Sequence, residues 1–260
     1  MAGPQLAILC RKEDDTDRGR DLKRKAANGA ALRARADSWT LAKRQELQRF
    51  KVDVPLTLKI VEELKHVIES AQDERPIQAF IQEHPETLAA LLGGIDRFVL
   101  PRHSLAGKYV PDFLVSDTDS LGIRWVLVEL ERPQSSITLT TQNDLDAIAR
   151  KGVTQIREWR EWLQNNLDMA RRPVSQDGLG LIDIRPMSEG LVLVGRRSLL
   201  NDNSGAVRNP FREQNAIRIH TYDWFIERLF GIVEHVGPPR ASRDVLQPPR
   251  ERPELFGEGP

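Results

Sequence analysis

Three carboxylates stand at spacings that could do chemistry. Asp112 lies in Val110-Pro111-Asp112-Phe113, and Glu129 and Glu131 lie in Val126-Leu127-Val128-Glu129-Leu130-Glu131-Arg132-Pro133. Residues two apart in a strand share a face, so Glu129 and Glu131 point the same way as Leu127. A hairpin turn centred between Asp119 and Ser120 puts Asp112 opposite Leu127, with Glu129 as its diagonal neighbour. Three acids then converge, provided the register does not slip by one residue. Clustered carboxylates repel one another, and a hard divalent ion such as Mg²⁺ or Mn²⁺ relieves that through oxygen ligands. Taken alone, Glu-x-Glu is more often the polar end of an edge strand. Val126–Leu130 is apolar on both faces, however, which is the pattern of a central strand, where carboxylates need a reason. On a later helical segment Gln155 flanks the stripe of Ile156 and Trp159, and Lys151 is one turn earlier on the same side. Such a Gln can bond a phosphate, a water or a metal-bound group; the plainer reading is a half-exposed helix residue.

Other chemistries lack their residues. Gly107-Lys108 has neither the upstream Gly nor the following Ser or Thr of a phosphate-cradling loop. Gly178-Leu179-Gly180 alone is weak, and no Gly-x-Ser-x-Gly nucleophile elbow occurs. The five histidines show no metal-ligand spacing.

The elements that must position the acids follow from periodicity. Pro55–Gln72 and Glu74–Leu92 recur helically, the second ending at Gly93-Gly94. Arg97–Pro101, Tyr109–Ser116 and Ile123–Glu131 read as strands, the last two joined by the turn composition Asp117-Thr118-Asp119-Ser120. Asn143–Leu167 reads as a long helix with Leu145, Ile148, Gly152, Ile156, Trp159 and Leu163 inward. Gly190–Gly195 and Ala216–Tyr222 read as strands joined by a polar loop, Asn201–Asn215. Asp223 reads as the cap of a final helix, Trp224–Val236. This order predicts an α/β or α+β sandwich around a mixed sheet.

The fold is expected within residues 53–236. Residues 1–52 form a charged, helix-prone arm with thirteen Lys and Arg against seven Asp and Glu. That composition suits a solvated tether, or an arm that contacts phosphate or drives assembly. Residues 237–260 are rich in Pro and Arg, which predicts a disordered or extended tail. The whole chain has 38 basic and 38 acidic residues, so bulk charge selects no partner and any nucleic-acid contact must come from local clustering. A single cysteine, Cys10, suits a reducing cytoplasm. The apolar runs are too short to cross a bilayer, and Gln5–Cys10 is too short for a signal-peptide core. A soluble cytoplasmic protein is expected.

The spacing of Pro111-Asp112, Glu129-x-Glu131 and Gln155 resembles the PD-(D/E)XK nuclease superfamily. The run from Glu74 to Pro85, Glu-Arg-Pro-Ile-Gln-Ala-Phe-Ile-Gln-Glu-His-Pro, resembles the opening helix of the Shedu anti-phage nuclease family. Val128–Pro133, Gly190–Arg196 and Thr221-Tyr222-Asp223 resemble its later blocks in order. This resemblance covers about Glu74 to Leu229. It implies a restriction-endonuclease-like fold, metal-dependent nicking or cleavage of DNA in bacterial immunity, and homo-oligomeric assembly, a tetramer among the forms. By position, Asp112 and Glu129 would bind the metal. Glu131 stands where the pattern usually has Lys. A Glu cannot supply positive charge, but it can ligate a metal or accept a proton from water. Lys108, by strand parity with Asp112, and Lys151, by its helix face, are the candidates for a relocated cation. Glu74 would be an auxiliary ligand or a helix cap. The catalytic set is then Asp112, Glu129, Glu131, Gln155 and Lys151. Lys108, Arg132, Arg157 and Arg160 are the expected phosphate contacts, with Arg102 nearby. The alternatives are a DNA-binding or assembly subunit that keeps the fold without catalysis, and a repair- or RNA-directed nuclease.

Overall fold

The computed structural model describes residues 45–139 and 143–235. The expectations for most of the arm (1–44) and for the tail (237–260) lie outside these residues. A five-stranded sheet carries strands β1 (Arg97–Pro101), β2 (Phe113–Asp119), β3 (Gly122–Leu130), β4 (Glu189–Leu193) and β5 (Ile217–His220), in that spatial order. β1, β2 and β3 pair antiparallel, and β3, β4 and β5 pair parallel. The parallel pairs need crossovers, which helices provide. This is the expected mixed sheet flanked by helices.

One face is covered by α1 (Leu58–Ser70), α2 (Arg75–Glu83), α3 (Glu86–Ala89) and α7 (Tyr222–His235). Their apolar residues meet Val126, Val128 and Leu130 of β3. The other face is covered by α4 (Ala147–Asn165), the short α5 (Leu167–Arg171) and α6 (Ser204–Asn215). There Ala149, Val153, Ile156, Trp159 and Leu163 of α4 pack on Trp125 and Leu127. Each such aliphatic side chain contributes about 1.5–3 kcal/mol on burial. β3 is therefore apolar on both faces because both faces are covered, as its sequence pattern required. Gly152 lets α4 approach closely: a Cβ there would stand 2.8 Å from Val192 Cγ1 and 3.4 Å from Glu131 Cγ.

Several elements differ from expectation. The single helix Glu74–Leu92 is two, broken at His84-Pro85. The residue before a proline is pushed out of helical backbone, and His84 has φ −123° and ψ 65°. Asn201–Asn215 is largely helical rather than a loop. Val207 and Phe211, one turn apart, pack on the core and outweigh Pro210 inside the helix. The last helix is capped by Thr221, whose Oγ1 accepts from the Trp224 amide at 3.2 Å. Asp223 instead pairs with Arg196 and accepts from the Arg197 amide.

The β2–β3 hairpin corrects the expected register. Asp119 pairs with Gly122, so the loop is Ser120-Leu121. Asp119 Oδ1 accepts from the Leu121 amide at 2.7 Å, and Gly122 takes φ +113°. The pairing is shifted by two residues. An even shift preserves face, and continuing it one step beyond Phe113↔Val128 sets Asp112 directly across from Glu129.

Candidate functional site

Acidic side chains gather at the end of the sheet where β3 stops. Asp112 lies just before β2. Its Oδ2 accepts from the Leu130 amide at 2.8 Å and its Oδ1 from Gln78 Nε2 of α2. Glu129 is 4% exposed and Glu131 2% exposed, on the parity of Trp125 and Leu127 that faces α4. Glu131 follows the last residue of β3, and its amide donates to Leu193 O at 2.8 Å, extending the pairing with β4 one residue past the end of β3. Lys151 of α4 reaches down to Glu131, with Nζ 3.0 and 3.1 Å from the two carboxylate oxygens. Glu74, at the mouth of α2, leaves its Oε2 buried without a partner among the described residues. Asp73, not Glu74, makes the capping contact, accepting from the Arg75 amide at 3.0 Å.

The electrostatics follow from burial and like charge. Burial pushes the Glu129 carboxyl up to about 9, with the charges of Asp112 and Glu131 adding to it. Lys151 and the Gln155 side chain oppose this. Asp112 is pushed up to about 6, first by burial; the Leu130 amide pulls it down, and the Glu74 charge pushes it further up. Burial raises Glu131 too, against its Lys151 partner. Burial opposes the Lys151 ammonium, but Glu131 and the neighbouring acids outweigh that and raise it. The fully buried Tyr222 donates its hydroxyl to Glu131 O at 2.8 Å and is held well above its ordinary value by burial and by the surrounding carboxylates. Each charge here is dear because little water solvates it.

The donor types, carboxylate and carboxamide oxygens, are those a hard divalent cation takes. Asp112, Glu129 and Glu131 offer carboxylate oxygens with Glu74 beside them, and Glu74 Oε2 and Gln155 Oε1 are buried with no partner among the described residues. Among the described residues, no three His, Cys, Asp or Glu side chains stand in a ready metal-holding group. Lys151, bonded to Glu131, supplies the cation in this arrangement. An open groove of about 580 Å³ runs beside the cluster along α4, lined by Arg150, Lys151, Thr154, Gln155 and Glu158.

Of the two candidate cations, Lys151 reaches the acidic cluster. Lys108 does not. It sits exposed in the tight turn bridged by Leu105 and Tyr109, its ammonium 5.0 Å from the Tyr109 ring, on no strand shared with Asp112. Arg132 is exposed directly after Glu131. Arg102 is exposed with φ +47°, its Nη1 3.4 Å from Gln78 Oε1. Arg157 is exposed, its guanidinium 5.6 Å from the Phe211 ring centre. Arg160 corrects the expectation of a phosphate contact. It is 5% exposed and donates to Ser188 O, Asn215 O and Ala216 O, so its donors are spent on backbone carbonyls. Gln78, missed in the sequence, lies one turn beyond Glu74 on α2, the i, i+4 spacing that brings both to the site.

Fold and site together define an α/β protein with a cation-paired cluster of buried acids at one end of its central strands. The family model "Shedu protein SduA, C-terminal" matches residues 71–226, more than half of the chain and all of the acidic cluster. The chain belongs to the Shedu family, which ties it to anti-phage defence. No curated protein matches the chain. Among the described residues, no helix is long and apolar enough to cross a membrane.

Proposed function

We propose that the protein is a metal-dependent DNA endonuclease of anti-phage defence. The observation that carries this reading is the convergence of half-buried Asp112 with buried Glu129 and Glu131 beside Lys151 and Gln155, which line an open groove. Burying that much like charge costs stability and needs a functional reason. Asp112, Glu129 and Glu131 would hold Mg²⁺ or Mn²⁺, with Glu74 in reserve. Such an ion supplies Lewis acidity toward a phosphodiester and a more acidic bound water. Glu131 accepts a proton from the attacking water, and Lys151, whose side chain is about half exposed, turns its charge toward the scissile phosphate. Gln78 holds the Asp112 carboxylate, and the Gln155 carboxamide orients water or phosphate from α4.

A second reading has its own observation. The Lys151–Glu131 pair already neutralises part of the cluster, as it would in a DNA-binding or assembly subunit that no longer cuts. Supercoiled plasmid incubated with the purified protein, in EDTA and then in Mg²⁺ or Mn²⁺, separates the two. Nicking or cutting that needs the metal and vanishes in Glu129→Gln supports the nuclease. Binding without cutting under either metal selects the second reading.

A further inference from the structure

A second cationic site lies away from the acids, at the free edge of β5. A cavity of about 310 Å³ is lined by Arg197, Arg208, Arg212 and Arg218 together with His220 and Trp224. Among the described residues, no Asp or Glu lines it. Two of the arginines have carboxylates behind them: Arg197 pairs with Glu227, and Arg218 approaches Glu189 at 3.6 Å. The other two differ. Arg208 gives Nε to Ser204 O at 3.0 Å and Nη1 to Ile219 O at 3.3 Å, and no carboxylate bridges Arg208 or Arg212 among the described residues. Arg218 Nε is buried with no hydrogen-bond partner among the described residues.

The aromatic side of the cavity is ordered as well. The His220 and Trp224 rings stack at 3.7 Å and 11°. Burial and the charges of Arg218, Arg208 and Arg212 push His220 down to about 4, so the imidazole is neutral at ordinary pH and remains a flat ring rather than a fifth cation. Guanidinium groups held near one another without counter-charge repel, and partly buried ones are costly unless an anion arrives. Guanidinium donors suit phosphate oxygens, and an aromatic platform beside them is the pairing that binds nucleotides. The volume is at the low end of small-ligand cavities, which run roughly 300–1,000 Å³, so it admits one nucleotide unit and not a duplex.

We propose that this cavity is a nucleotide-phosphate site, separate from the acidic cluster, that takes the phosphate of a single nucleotide unit between Arg208, Arg212 and Arg218. Two sources share that chemistry: a free nucleotide, and a phosphorylated end of a single DNA strand. The proposal does not rest on the nuclease reading, since it concerns binding alone.

The test is titration calorimetry of the full chain in EDTA, so that no cutting enters the readout. The probes are adenosine 5′-monophosphate, a short oligothymidylate with a 5′-phosphate, and the same oligomer without it. Wild type binds at least one phosphorylated probe, and Arg212→Ala weakens that binding about tenfold, as loss of one charge-assisted contact requires. Lys59→Ala, on α1, leaves it unchanged. Arg212 is exposed and makes no side-chain bond within the described fold, so thermal melting should match wild type. Binding of the monophosphate identifies a free nucleotide as ligand; binding of the phosphorylated oligomer alone identifies a strand end. Equal affinity for the oligomers with and without phosphate, or equal binding by wild type and Arg212→Ala, overturns the proposal.

Discussion

Replacing Glu129 by Gln tests whether the cluster is the strained, charge-crowded site described above. Glu129 is 4% exposed and its carboxyl is pushed up to about 9 from an ordinary 4.5. Between those values the folded protein keeps the proton while the unfolded chain releases it. The folded state then binds more protons, so stability falls as pH rises through that window. Each unit corresponds to about 1.4 kcal/mol, and pH 7 is 2.5 units above 4.5, so the deficit there is on the order of 3 kcal/mol. Glu129→Gln stays neutral in both states and escapes the loss. The variant should therefore be more stable than wild type at pH 7 by on the order of 3 kcal/mol, with the difference shrinking towards zero near pH 4.5. Urea unfolding of both proteins in EDTA from pH 5 to 8 measures it, because the wild-type-minus-variant difference cancels the other carboxylates. Adding Mg²⁺ should then stabilise wild type by mass action and leave the variant where it was. A difference that stays flat with pH, or a variant less stable than wild type at pH 7, refutes the account of Glu129 as a buried acid held against repulsion.

Arg160→Ala should cost about 1.5–3 kcal/mol in urea unfolding, since the Ser188, Asn215 and Ala216 carbonyls lose a charged donor together, while DNA affinity of the folded fraction stays put. Glu131→Ala should abolish metal-dependent plasmid nicking and leave a folded protein by circular dichroism. Lys151→Met should slow the same nicking at least tenfold by removing the side-chain cation bonded to Glu131. Gly152→Val should cost about 1–3 kcal/mol by melting, because its side chain must displace Val192 and Glu131.

The acids were legible because parity is robust. Asp112 was placed opposite Leu127 and lies across from Glu129, yet an even error leaves every side chain on its face. β1 was legible to the residue, a short apolar run between polar neighbours. The helix α4 was legible in its stripe, trimmed by Asp146, whose carboxylate accepts from the Ile148 amide at 3.2 Å and starts the helix four residues late. Less visible were features that depend on partners distant in sequence. Arg160 reads as surface charge beside Arg157, and only the carbonyls of Ser188, Asn215 and Ala216 turn it inward. Gln78 reads as one polar residue of an amphipathic helix until Asp112 arrives beside it. The β5 edge site draws its arginines from α6, β5 and the segment after β4, and no window of sequence contains it.

The bond from the Leu130 amide to Asp112 Oδ2 has a consequence for solvent exchange. At that point β2 has ended, and a side chain takes the place of the strand that would otherwise protect the amide. Its hydrogen should exchange with deuterium whenever the Asp112 carboxyl protonates or swings away. The next amide, Glu131, is bonded to Leu193 O and must wait for β3 and β4 to part. Two adjacent hydrogens thus keep separate clocks, one set by the acid cluster and the other by the sheet.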